Sequence, residues 1–207
     1  MTDESGEPKR FTVFKDAPRC VDTLRKSYKN RLKVPDKYSL QGELAGESDR
    51  STVILMSALL EDALTLRIAQ HLCFSPTERE FNDIFHFDGP LGTFSARMKI
   101  AFYFGFIEDA TYEQLNLIRE MRNACAHSKH QLKFTDEVLG NVTKRLFQPL
   151  GFIPAVAADT EIKGAFIAEG TFIFQALVEG SREKAAETMK AMFRTLKEQN
   201  ASQDKSS

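Results

Sequence analysis

Apolar residues recur through most of this chain three and four positions apart, the period of a helix with one buried face. From Arg50 to Leu72, Val53, Leu55, Met56, Leu59, Leu60, Ala63, Leu64 and Ile68 cover a wide arc and predict a central helix, capped by Ser48 or Asp49. Glu61 and Asp62 interrupt that arc, and a buried carboxylate needs a cation; Arg97 or Arg122 is the expected partner. Ser75-Pro76-Thr77-Glu78 reads as the start of a short helix that reaches Phe85. After the Asp88–Gly92 turn, a helix over Thr93–Phe104 turns Phe94, Met98, Ala101 and Phe102 inward, leaves Arg97 and Lys99 on other sides, and closes at Gly105. Thr135-Asp136-Glu137 opens a helix carrying Val138, Leu139, Val142, Leu146 and Phe147. Arg182–Glu198 is amphipathic through Ala185, Met189, Met192, Phe193 and Leu196. The stretch Asp159–Glu179 fits strand alternation and a helix almost equally well.

The most informative helix spans Ala110–His127. Leu117, Ile118, Met121, Ala124 and Cys125 share one face, which predicts its burial. Arg119, Asn123 and His127 lie four apart on the opposite face. Arg122 and His127 are five steps apart, so they stand roughly 140° apart on an ideal helix. They converge only if the helix end loosens, or if a second chain supplies the second group.

Composition narrows the classes. The chain has 207 residues, 42% of them apolar, and a formal net charge of −1. That suits one compact domain and gives no overall argument for nucleic acid, membrane or acidic partners. The exception is Lys9–Lys37, where ten Lys and Arg stand against three Asp, a local charge of +7. It reads as a solvated helix packed through Val21, Leu24 and Tyr28, or as a footprint for phosphates. Gln41–Ser48 reads as a Gly-containing connector. The expected organisation is a basic extension over 1–40, a helical domain over 41–199 and a polar tail over 200–207.

Cys20, Cys73 and Cys125 are odd in number and far apart, and read as buried, reduced thiols of a cytoplasmic protein. His127 and His130 lack a carboxylate ligand set, so no metal and no cofactor are expected. His71 and His86 sit beside apolar residues and read as packed side chains. Met1–Arg10 is polar and acidic, unlike a signal peptide, and no run of eighteen apolar residues predicts a membrane span.

Two resemblances sharpen this. Asp88-Gly-Pro-Leu-Gly-Thr-Phe-Ser-Ala-Arg-Met-Lys-Ile100 with Phe104-Gly-Phe-Ile107, then Leu117–His127 and Phe134-Thr-Asp-Glu-Val-Leu-Gly140, resemble the mannitol operon repressor family in order and spacing. Ser48-Asp49-Arg50 ahead of an apolar helix suits it as well. The likeness covers about residues 47–140. It implies an all-α fold, a single multi-helical domain, and therefore a helix over Asp159–Glu179. It further implies a bacterial, cytoplasmic regulator of transcription without a DNA-reading helix, acting through a protein partner. Asp49, Arg50, Arg97 and Arg119 are the residues within it assigned to binding.

The second resemblance is shorter. Arg122-Asn-x-x-x-His127 is similar to the motif of the HEPN superfamily of helical ribonucleases. That likeness implies metal-independent RNA cleavage across a homodimer, with His127 moving the proton, Arg122 holding the phosphate and Asn123 positioning the backbone. The same residues suit a structural or binding role better, because a histidine at a helix C-terminus meets its last carbonyls. The regulator is the leading expectation and the ribonuclease the alternative.

Overall fold

The computed structural model describes residues 37–74, 76–148 and 159–187, with side chains described from 41 and from 162 in the first and last of these segments. The basic segment up to Asp36, Cys20, Ser75, Met189–Glu198 and the polar tail lie outside the described residues. Among the described residues the fold is all-α. Its helices are α1 (Lys37–Gly46), α2 (Asp49–Ala69), α3 (Glu78–Phe85), α4 (Phe94–Tyr103), α5 (Asp109–His127), α6 (Glu137–Arg145) and α7 (Asp159–Glu179); residues 182–187 are also helical.

The apolar arc of α2 makes it the hub. Val53, Met56, Leu60, Ala63 and Leu64 are fully buried, and α7, α5, α4 and α1 all pack against α2. Ser48 caps it, its Oγ accepting from the Ser51 amide at 3.2 Å. The helix ends at Ala69, so Leu72 lies beyond it in the following turn.

Two local expectations change. Gln41–Ser48 is helix as far as Gly46 instead of a connector. Gly42 and Gly46 weaken helix propensity, but tertiary contacts outweigh them. Leu44 is buried, Thr52 Oγ1 donates to Leu44 O at 3.0 Å, and Lys163 Nζ reaches Ala45 O at 3.1 Å and also Glu47 O. A cation at the end of α1 thus satisfies carbonyls that the helix leaves open. The start of α3 is also later than Ser75-Pro76 suggests. Thr77 is the cap and Glu80 closes a reciprocal capping box with it.

Asp159–Glu179 is a helix. Both periodicities fit the sequence because this helix is apolar nearly all round. Ile162, Phe166, Ile167, Ile173, Phe174 and Leu177 are buried as α7 lies against α2, α1 and α6. Phe166 meets Phe134 with ring centroids 5.2 Å apart. Gly170 lets the two long helices approach closely: a Cβ there would lie 2.6 Å from Met56 Sδ. Gly105 closes α4 as expected, in the left-handed region at φ 70°. The Phe106 amide reaches back to Ala101 O at 2.8 Å and the Gly105 amide to Phe102 O at 2.9 Å, satisfying two end carbonyls.

Several side-chain expectations are overturned by position. Leu55, on the apolar arc of α2, is 44% exposed, and Val138 is 70% exposed because α6 turns Leu139 and Gly140 inward and leaves Val138 on its outer side. Cys73 is exposed in the turn after α2, whereas Cys125 is buried. His86 is an exposed surface residue whose Nδ1 lies 3.0 Å from Asp88 Oδ1, an ion-pair geometry in place of packing. His71 is exposed as well, and only one side of its ring is covered, 4.1 Å from that of Phe106 between centroids.

Candidate functional site

The polar candidates gather on α5 and on what holds its two ends. Thr111, Gln114, Leu115, Ile118, Met121 and Cys125 form its buried face. Ala124, expected on that face, is exposed, and Leu117 is half-buried at its margin. Asp109 lies in the first turn and His127 in the last, the arrangement favoured by the helix dipole. The helix stays regular through His127, with the Ser128 amide donating to Ala124 O at 2.9 Å. A loosened end therefore does not bring Arg122 and His127 together within one chain. Both are exposed and Asn123 is half-buried. His127 is exposed, so α7, which packs mainly against α2, leaves the imidazole uncovered.

Asp49 and Arg50 reach this end from α2. Arg50 Nη2 donates to Ala126 O at 3.3 Å and Nη1 to Ser128 O at 3.4 Å, long bonds that place a cation at the carbonyl end of α5. Asp49 Oδ2 accepts from the Phe134 amide at 3.0 Å, and its Oδ1 lies 3.7 Å from Lys163 Nζ. The pair therefore clamps the connector between α5 and α6 onto the hub helix. Cys125, on the buried face of α5, has its thiol pushed up from its ordinary pKa by burial, so it is a poor nucleophile.

Arg97 was expected away from the inner face of α4 but is only 8% exposed. Its Nη1 pairs with Glu61 Oε1 at 3.1 Å, as the interrupted arc of α2 requires. Its Nε donates to Leu91 O at 2.7 Å and its Nη2 to Phe85 O at 2.8 Å. One guanidinium thus ties α4 to α2, to the end of α3 and to the turn before α4. Arg122, the other cation considered for that carboxylate, points to solvent. Arg119 is half-buried and stays on its own helix, donating from Nη2 to Asn116 Oδ1 at 3.0 Å and pairing with Glu120.

A second polar cluster escaped the sequence reading. Gln114, fully buried, donates from Nε2 to Leu146 O at 2.6 Å and to Glu169 Oε1 at 2.8 Å. Arg182 donates from Nη1 to Gln114 Oε1 at 2.8 Å and to Thr111 Oγ1 at 3.2 Å, and from Nη2 to Glu169 Oε1 at 3.3 Å. Burial raises the Glu169 carboxyl above its ordinary pKa, opposed by the Gln114 bond and by Arg182. This network locks α5, α6, α7 and the stretch after α7 into one unit. Its signal in the sequence was a polar residue inside each of two apolar faces; which polar residues meet was not readable there. Thr111 and Arg182 also line a cavity of about 390 Å³ with Gly105, Phe106, Glu108 and Glu183.

Among the described residues no group of three or more His, Cys, Asp or Glu is placed to hold a metal, and no helix is long and apolar enough to cross a membrane. Chemically, the α5 end offers an exposed imidazole and an exposed guanidinium on different sides of one helix. The interior clusters offer rigidity.

Comparison with known proteins bears on this arrangement. A family model described as "MtlR: Mannitol repressor" matches residues 78–168, a stretch that contains Arg97, Arg119, Arg122, Asn123 and His127 but not Asp49 or Arg50. The mannitol operon repressors of Escherichia coli strain K12 and of Escherichia coli O6:H1 strain CFT073 are each 31% identical over 117 residues, 55% of this chain and 56% of the relative. The match thus spans about half the length of these curated relatives. A chain from the X-ray structure of the MtlR–HPr complex from Escherichia coli shares the fold with a TM-score of 0.51 and 21% identity, over 69% of this chain and 98% of that one. The chain therefore resembles mannitol repressors in sequence and in fold.

Proposed function

We propose that this chain is a cytoplasmic regulator of transcription that works by binding a protein partner, as a mannitol operon repressor would. The observation that carries the reading is the 31% identity to those repressors across 117 residues. The partner proposed is HPr, the protein that shares a complex with the fold relative. Asp49, Arg50 and Arg97 support such a role from inside: they brace α2, α4 and α5, so that the surface offered to a partner stays fixed and binding costs little ordering. Arg119 lies nearer the surface. Titration of the purified chain with purified HPr from its own source should give saturable binding, and the chain should change expression from its source's mannitol promoter in a reporter strain. Absence of both effects rejects the reading.

A second reading is favoured by the exposure of Arg122 and His127. In it the chain is a homodimeric ribonuclease in which a two-fold contact sets each Arg122 against the partner copy's His127. Asn123 would position the RNA backbone. Expression should then slow growth and His127→Ala should restore it. A chain that runs as a monomer at working concentration and leaves RNA intact rejects this alternative.

A further inference from the structure

The end of the bundle opposite His127 carries an arrangement that neither reading uses. Tyr103 and Phe104, at the end of α4, are 76% and 67% exposed. Large aromatics are rarely left this open side by side on a surface with no partner. They are also held in place. The Phe104 ring lies 5.9 Å from Phe106 between centroids, Phe106 stacks on His71 at 4.1 Å, and Gly105 fixes the turn between them. The eleven residues Tyr103–Glu113 contain three carboxylates, Glu108, Asp109 and Glu113, and no Lys or Arg. All three are exposed. Beside Phe106 opens the cavity bounded by Glu108 and Glu183, where the Arg182 guanidinium, bound to Glu169 and Gln114, also has its Nε 3.9 Å from Glu108 Oε1.

We propose that Tyr103 and Phe104, with the exposed Asp109 and Glu113 of the helix that follows them, form the docking surface for a protein that presents an apolar patch ringed by Lys or Arg. Aromatic anchors supply most of the binding energy at such contacts, and a charged rim sets orientation and choice of partner. Glu108 already has Arg182 beside it, so Asp109 and Glu113 are the carboxylates offered to the basic side chains of that partner. The charge argues against the other occupants. A second copy would set these carboxylates against their own images across a two-fold axis, and nucleic acid or an anionic membrane would face them with phosphates.

This inference rests on the regulator reading and names the face that reading would use. The probe is the same purified HPr, titrated at low and moderate salt against the full-length chain and against Tyr103→Ser/Phe104→Ser and Glu113→Lys. Both variants change exposed side chains, so their thermal melting should match the parent. The expected result is binding by the parent that weakens with salt, a loss of tenfold or more in the aromatic variant, and a smaller loss in Glu113→Lys. Parent binding that survives both variants overturns this surface and leaves the regulator reading standing. No parent binding overturns both. A parent dimer that Phe104→Ser converts to monomer assigns the face to a second copy and also overturns the proposal.

Discussion

Arg97 and Arg122 lie on neighbouring helices and meet opposite fates. Arg97 is enclosed, with Glu61, Leu91 O and Phe85 O around its guanidinium. Arg122 stands in solvent on the outer side of α5. The interior region spends its charge on holding four elements together, and little of it is left for a ligand. At the outer end of α5 the backbone carbonyls are held by Arg50, while the Arg122 and His127 side chains stand in solvent.

Removing the enclosed cation should have the largest effect. Arg97→Ala leaves Glu61 and two carbonyls short of a partner, and should cost about 3–5 kcal/mol in denaturant unfolding. A cost near zero would place Arg97 with the surface residues. Next in size is Gly92→Ala, in the turn that carries the Leu91 carbonyl to Arg97. A Cβ at Gly92 would stand 2.3 Å from His86 O, a backbone atom that cannot step aside. The expected cost is about 1–3 kcal/mol, read from the same unfolding curve.

A pH-dependent test sharpens the interior side further. Burial raises the pKa of Glu169, so the folded chain holds that proton more tightly than the unfolded one. The associated stability is fully present below the ordinary carboxylate range and is lost as pH rises through the raised value. Glu169→Gln keeps an acceptor for Gln114 and removes the titration, so its stability should be flatter than the parent's across that window. An unchanged pH profile contradicts the role given to this carboxyl. Smallest of all should be Arg122→Ala and His127→Ala, each within about 0.5 kcal/mol of the parent. A larger loss would make the α5 end a structural device like Arg97.

These contrasts mark where sequence and tertiary structure part. The helical fold, the hub position of α2, the end of α4 at Gly105 and the need of Glu61 for a cation were legible, because each depends on periodicity, local backbone chemistry or the cost of an unpaired buried charge. So was the separation of Arg122 and His127 on one helix, since five steps fix it, whereas Asn123 is half-buried. Other features belong to the packing. Gly42 and Gly46 lie in a helix or at its end because Leu44, Thr52 and Lys163 hold it. Ala124 and Val138 face water although they are apolar. Gln114, Glu169 and Arg182 meet across as many as 68 positions of chain. Local periodicity tells which side of a helix turns inward, since burial of apolar area depends on spacing alone. Which polar groups then find each other depends on the placement of whole helices, and that is decided only when the long-range contacts form.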